Sequence, residues 1–399
     1  MSDRLRFDII IIGAGIAGAS LAWALAPHRR VLLLEAESQP GFHSTGRSAA
    51  MFMESYGPPQ ARALARASRD FLAQPPAGFS DHPLVAPRGV LYLARDGEAA
   101  QLDETLHSLR ASGSDVELID AAAVLRRVPV IRAEGLIGAI AETGAMDIDV
   151  DALHQGFLRG ARQAGAALWC DAELAAAQRQ AGKTSGNTTV HTRGDRSGWQ
   201  LALRDGRSVH TSIVVNAAGA WADVVARRCG VAARGLQPKR RSAFIFDAPT
   251  GIDARDLQAW PTVGTLGDGW YFKPDGGRLL GSPGNADAVT AHDVQPEELD
   301  IATGIAGIEA ATTMRIRRPA RTWAGLRTFA ADGELVIGFD SDADGFFWLA
   351  GQGGYGIQTA PAAAMLAAGL LLETQLDTTL NSAGVQPALM APGRLQPVN

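Results

Sequence analysis

The sequence predicts an α/β fold, and three observations carry that prediction. Residues 7–12 (FDIIII) are a continuous β-branched run that passes directly into Gly13-Ala14-Gly15-Ile16-Ala17-Gly18. A second apolar run, VLLL at 31–34, ends in the acid Glu35. The order strand, small-residue turn, helix then recurs at 213–223 (IVVNAAGAWAD) and 346–361 (FFWLAGQGGYGIQTAP).

The first run has no polar alternation, which marks a strand covered on both faces. The glycines that follow have separate tasks: a tight turn, close approach of the backbone to a pyrophosphate, and close packing of helix on strand. The helical stretch to about Pro27 then presents its N-terminus to the phosphates. Glu35 stands where an acid accepts hydrogen bonds from an adenosine ribose. Strand, helix, second strand and terminal acid in this order point to a dinucleotide; a glycine-rich turn without a ligand leaves Glu35 unexplained.

The run HSTGRSAA (43–50) is small and hydroxylic with one arginine, and suits backbone lying against a flat ring system or a phosphate. At 346–361 a helix N-terminus would set positive dipole beside a flavin ring, favouring its reduced anion.

Composition narrows the function classes. The chain has 399 residues, 46% hydrophobic and 20% charged, with a formal net charge of −5. That length suits two or three domains, and the mild acidity with no basic stripe excludes a nucleic-acid footprint. Two cysteines, Cys170 and Cys229, build neither a disulfide framework nor a CxxC metal site. They fit a reduced, cytoplasmic setting, with peripheral docking at the inner membrane left open. Residues 9–25 have the apolarity of a signal peptide, but their lead-in mixes acids with bases and the glycine spacing has the better explanation given above. No uninterrupted apolar stretch is long enough for a transmembrane helix. The alanine-rich run 360–373 is broken by Pro361 and reads as a buried helix. Residues 179–200 read as an exposed hairpin, and the proline-bearing tail after Gly384 as loosely ordered.

GAGIAG with Glu35, HSTGRSAA, NAAGAW, WAGLRTF and GQGGYGIQ together resemble the D-amino acid oxidase superfamily of flavoproteins over nearly the whole chain. Within it, LHQGFLRG (153–160), LQPKRRSAFIF (236–246), AHDVQPEELDIATG (291–304) and GGYGIQT (353–359) resemble most the bacterial D-arginine and D-amino acid dehydrogenase type. The resemblance implies a Rossmann-like FAD domain (1–85, 148–225, 325–399) and a substrate domain with a mostly antiparallel sheet (86–147, 226–324). It implies non-covalent FAD held by Gly13, Gly15, Ile16, Ala17 and Gly18, by Glu35 and Ala36, and by Ser44, Thr45, Arg47, Ser48, Ala49 and Ala50. Leu174, then Ala217, Ala218, Gly219 and Trp221, and finally Arg327 with Gly353, Gly354, Tyr355, Gly356, Ile357 and Gln358 complete the implied shell.

For a small amino-acid substrate, the resemblance implies that Arg241 and Arg327 with Tyr56 and Tyr271 hold the carboxylate, with Gly354 and Gln358 beside substrate and ring. Guanidinium suits this task because it grips a carboxylate with two parallel hydrogen bonds. Alternation along 237–246 sends Arg240 and Arg241 to opposite faces, so one is expected in solvent and Arg241 inside. A merely structural Arg327 would pair with Asp332 or Glu334 in the following turn. His154, on a helix with Leu153 and Phe157, reads as packing or capping, and His43 as making structural hydrogen bonds.

The implied reaction is oxidative deamination of a D-amino acid to a 2-oxo acid and ammonia, with hydride leaving the α-carbon for flavin N5. A glycine or sarcosine type of amine oxidase is the alternative; a non-catalytic dinucleotide sensor would leave the paired arginines and tyrosines without a purpose. Three departures bear on specificity. Val90 stands where the arginine enzyme has a glutamate for the cationic side chain, and Met51 and Met53 replace a histidine and a threonine. Burying a guanidinium without a partner costs several kcal/mol, so apolar or small side chains are expected. In the strand 278–283, Leu279 is aligned with a lysine that favours oxygen in the sarcosine oxidase branch, which points to a dehydrogenase using a quinone or another acceptor.

Overall fold

The strand Arg6–Ile12 is buried from Ile9 onward, as its unbroken apolar run demands. In the computed structural model, which describes residues 6–180, 198–267 and 269–398, it is central to an eight-stranded sheet. Val31–Leu34 pairs parallel to it on one side and Ser208–Asn216 on the other, with Ala167–Trp169 and Phe346–Ala350 parallel beyond them. Both faces are covered. Ile9, Ile11, Val31 and Leu33 enter one apolar cluster, and Ile10, Ile12, Leu32 and Leu34 the other. On the first face lie the helices Ile16–Leu25, Pro59–Ala73, Val150–Gln163 and Gly356–Leu372.

Because these strands are parallel, their carboxyl ends at Ile12, Leu34, Asn216 and Ala350 share one edge. In open α/β sheets that edge is where ligands bind.

A second sheet of nine strands is mostly antiparallel, as expected. Among the described residues its one parallel pair is Val90–Arg95 beside Thr262–Thr265. Strand alternation splits its side chains. Phe244, Phe246, Phe272 and Leu279 pack with Ile301 and Ile308 of the helix Glu298–Ala311. Arg241, Ala243 and Tyr271 face the other way, toward the carboxyl edge of the first sheet. A three-stranded sheet of Met51–Phe52, Met146–Ile148 and Val85–Pro87 joins the two regions.

Arg321–Phe329 pairs along its whole length with Gln237–Phe246 of the second sheet, so position 325 falls inside a strand. We propose the two-domain division with its last junction after Phe329.

Three local expectations change. The tail is not loose: Pro387–Met390 and Pro392–Arg394 form short 3₁₀ turns, Met390 is fully buried, and Val398 bridges to Ala233. Arg394 fixes it further by pairing with Asp332 at 2.7 Å. Pro361 does not break its helix; it lies within Gly356–Leu372, and the amide of the next residue, Ala362, donates to Ser68 Oγ at 3.1 Å. The expected hairpin over 179–200 lies mostly outside the described residues, at 181–197. Its flanks, Gln180 and Gly198, pair antiparallel.

Candidate active site

A cleft of about 630 Å³ opens at the carboxyl edge of the parallel sheet and is closed above by the second sheet. This volume is within the usual range of roughly 300–1,000 Å³ for small-molecule and cofactor sites. Its floor is the glycine turn. Gly13 has φ +101°, and a Cβ there would stand 2.5 Å from the Ala217 carbonyl oxygen. A Cβ on Gly18 would stand 1.9 Å from the Gly13 carbonyl oxygen, so helix and strand meet at a distance only glycine permits. Gly15, at the helix N-terminus, has ordinary backbone geometry and faces the cleft; a Cβ there would lie 3.3 Å from Thr45 Oγ1. The Ile16 amide donates to that hydroxyl at 3.0 Å.

Two side chains brace the turn, Glu35 half-buried and His154 buried. Glu35 accepts the Ala14 amide at 3.0 Å and the Glu37 amide at 3.1 Å. Burial pushes its carboxyl above the usual range despite those bonds. His154 places Nε2 2.8 Å from the Ala14 carbonyl, and burial lowers its pKa, so the neutral ring donates there. Packing and capping are thus one role for His154: it holds the glycine turn from beneath.

The loop after Glu35 fastens the two sheets together. Ser44 Oγ donates to the Leu326 carbonyl at 2.7 Å. Arg47 donates to the Phe42, Val294 and Ala324 carbonyls and pairs with Asp293 at 2.5 Å. Its guanidinium, expected against a ring or phosphate, is taken up by this stitching. His43 pairs with Glu37 at 2.9 Å, and its ring centroid lies 4.4 Å from that of Trp221. Its Nδ1 and the Nε2 of Gln352 are buried on the cleft wall without hydrogen-bond partners among the described residues. A glycine-lined backbone cradle with unsatisfied polar atoms facing it fits a large, acceptor-rich ligand such as FAD.

Every residue expected at the cofactor lines this cleft except Gly18, Ala50, Tyr355 and Gln358. Gly18 packs beneath Gly13. Tyr355 is buried, donates its hydroxyl to the Gly333 carbonyl, and is pushed upward in pKa by burial. Gln358 is 2% exposed and accepts the Met53 amide at 2.8 Å, so it acts on a neighbouring loop. Gln352, which the sequence reading passed over, stands on the wall one residue before Gly353. The same glycine-rich motif that marked Gly353 and Gly354 contains it.

Four of the residues expected around a substrate carboxylate, Arg241, Arg327, Tyr271 and Gly354, line this same cleft. Arg327 and Arg241, from adjacent strands, line the wall with Tyr271 and Gly354. Tyr56 lies behind the wall and accepts a hydrogen bond from Arg327 Nη1 at 3.3 Å. A Cβ on Gly354 would be 2.6 Å from that tyrosine oxygen and 3.1 Å from Arg327 Nη1, so glycine makes room for both.

The structural alternative for Arg327 fails, because both acids are committed elsewhere. Asp332 pairs with Arg394, and Glu334 accepts the Gln60 and Ala61 amides at 2.8 and 3.2 Å at the start of helix Pro59–Ala73. Among the described residues Arg327 has no ion pair, and it lines the cleft with Nη1 donating to the Tyr56 hydroxyl. Arg241 donates to the Asn285 carbonyl at 2.6 Å. Arg240 does take the opposite face, but not in solvent: it is 8% exposed and pairs with Asp300, Glu297 and Asp287.

The specificity residues differ from expectation in detail. Met51 and Met53 are not on the wall; their sulfurs lie 2.9 Å from Thr262 Oγ1 and 3.7 Å from the Tyr92 hydroxyl. Val90 is 3% exposed, and directly opposite it in register is Glu142, a buried acid belonging to no motif. Glu142 is bonded by the hydroxyl of Ser55. Leu279 turns into the core, away from the cleft face. That face instead carries Leu280 and Ser282, in register with Lys273 and Tyr271. Lys273 is buried and pairs with Asp147 at 2.7 Å, so Leu279 no longer bears on the choice of electron acceptor.

Among the described residues, no helix is long and apolar enough to cross a membrane. A family model described as FAD dependent oxidoreductase matches residues 8–370. FAD-dependent oxidoreductase domain-containing protein 1 of Bos taurus is 27% identical over 428 residues, covering 94% of this chain and 82% of its own. Glycine oxidase of Geobacillus kaustophilus (strain HTA426) is 27% identical over 391 residues, covering 93% of this chain and 95% of its own. The crystal structure of glycine oxidase from Geobacillus kaustophilus superposes with a TM-score of 0.79 at 21% identity, covering 98% of this chain and 100% of that one, and so matches the fold.

Proposed function

The chain belongs to the FAD dependent oxidoreductase family and uses FAD, and on that premise we propose that it oxidatively deaminates small or apolar D-amino acids. The observation that carries this reading is Arg327: a guanidinium on the cleft wall, without an acidic partner among the described residues, set beside a tyrosine hydroxyl.

FAD, when bound, supplies the two-electron acceptor. The protein's own residues bind and orient the substrate. Arg327 and Arg241 grip its carboxylate from adjacent strands, with Tyr271 on the wall beside them and Tyr56 fixing the plane of Arg327. A two-point hold fixes the position and plane of the carboxylate at one end of the substrate, and such positioning contributes several kcal/mol, up to roughly 7–11 in ideal intramolecular cases. The amine reacts in its neutral form, so the rate rises with pH until it is deprotonated. Loss of two electrons and two protons gives an imine, which water converts to a 2-oxo acid and ammonia.

The proposed side-chain preference rests on position 90, where valine stands in place of the glutamate expected from the resemblance to the arginine enzyme. Valine offers a cationic side chain nothing, and the carboxylate opposite it is occupied by Ser55. A panel comparing kcat/KM for D-leucine, D-methionine and D-phenylalanine with D-arginine and D-lysine tests this. The apolar substrates are expected to lead, and a clear lead for the cationic pair overturns the preference.

Glycine or a secondary amine is the second reading. It is favoured by the likeness to glycine oxidase along nearly the whole of both chains. Glycine or sarcosine outrunning every D-amino acid in the same panel decides for it.

A further inference from the structure

The turn 53–57 carries Tyr56 to Arg327, and it is held by two separate elements. From the helix Gly356–Leu372, Gln358 accepts the Met53 amide at 2.8 Å. From the strand Leu136–Glu142 of the second sheet, Glu142 accepts the Ser55 hydroxyl and, at 3.4 Å, the Ser55 amide. Gly57 closes the turn at φ +99°, with space for a Cβ limited to 3.0 Å by the Tyr355 ring.

Glu142 is a costly choice for this place. It is 4% exposed, and among the described residues no cation pairs with it. A buried carboxylate is tolerated when its oxygens are hydrogen-bonded, and charge-assisted bonds are about twice as strong as neutral ones. Those bonds go to the residue just before Tyr56 and to nothing in the catalytic cleft.

We propose that Glu142 is a positioning residue: by holding Ser55 it keeps the Tyr56 hydroxyl on Arg327 and so presets the carboxylate grip. This inference rests on the proposed grip, and the two can fail separately.

The test is a double-mutant cycle on FAD-loaded protein. Propionate is titrated against flavin absorbance in wild type, Tyr56→Phe, Glu142→Gln and the double variant, and KM and kcat for D-alanine are measured in parallel. Tyr56→Phe is expected to weaken propionate roughly tenfold, equivalent to about 1.4 kcal/mol. Glu142→Gln is expected to weaken it roughly three- to tenfold, and the double variant to be no weaker than Tyr56→Phe alone, because residues acting through one another are not additive. The loss falls on KM more than on kcat.

Independent, multiplying losses overturn the positioning role. So does a Glu142→Gln defect confined to D-lysine and D-arginine with propionate binding intact, which makes Glu142 a side-chain partner instead. Unchanged propionate binding in Tyr56→Phe overturns the inference while leaving the arginine grip standing; unchanged binding in Arg327→Met removes the grip itself. If Glu142→Gln does not retain FAD, Ser55→Ala takes its place in the cycle, with the same expected and contrary results.

Discussion

Arg327 Nη1 lies 3.3 Å from the Tyr56 hydroxyl, though 271 residues separate them in the chain. One comes from a strand of the second sheet, the other from a turn beside the helices of the first. Their contact joins the cleft wall, which Arg327 lines, to the turn that carries Tyr56.

Arg327→Met keeps the length and packing of the side chain and removes its charge. The variant is expected to remain yellow and to lose about 2–5 kcal/mol of transition-state stabilisation, roughly 30- to 5,000-fold in kcat/KM. Steady-state kinetics on D-methionine check this. Unchanged kcat/KM takes Arg327 out of the substrate grip.

Gly354→Ala meets no backbone obstacle, but its Cβ would press on Tyr56 and Arg327, at 2.6 and 3.1 Å. Overpacking of this kind costs about 1–3 kcal/mol, so KM is expected to rise roughly 5- to 150-fold with FAD retained. A wild-type KM shows that the pair has slack.

Gly15→Ala separates cofactor binding from folding. The helix start is ordinary at φ −68°, so the apoprotein should melt as wild type does. The added methyl fills the cradle facing the cleft, and FAD affinity is expected to fall at least roughly tenfold, about 1.4 kcal/mol. FAD titration of apoprotein measures it, and equal affinity rules out close backbone approach at this point.

The first three elements of the nucleotide site could be read from sequence because their physics is local. An unbroken β-branched run, glycines at fixed offsets and a terminal acid fix the first strand, the turn and the end of the second strand with no knowledge of the rest of the chain. Arg47 could not be read that way. Its type suits an anion, but Val294 and Ala324 carbonyls and Asp293, far off in sequence, claim it first. Glu142 was invisible for the same reason, since its meaning depends on Ser55, 87 residues away. Leu279 shows a third limit: a shift of one residue in a strand exchanges its faces, so a loose alignment there selects the wrong side chain.

His154 predicts a pH dependence. Burial holds its native pKa below the ordinary 6.5, while the unfolded chain titrates normally. As pH falls through 6.5 the unfolded state therefore binds the extra proton and the native state does not. Stability falls by up to about 1.4 kcal/mol per pH unit, until the lowered native value is reached. Thermal midpoints of holoenzyme across this range should decline, and His154→Gln should flatten the decline. Equal slopes in the two proteins assign the effect elsewhere.

The most direct measurement of the central claim compares an amino acid with its own amide. FAD-loaded protein is mixed anaerobically with D-methionine or with D-methioninamide, and the visible flavin absorbance is followed. The predicted result is rapid bleaching by the acid and none of comparable rate by the amide, which gives Arg327 and Arg241 no carboxylate to hold. Colourless protein that takes up no FAD, or equal bleaching by acid and amide, contradicts the account.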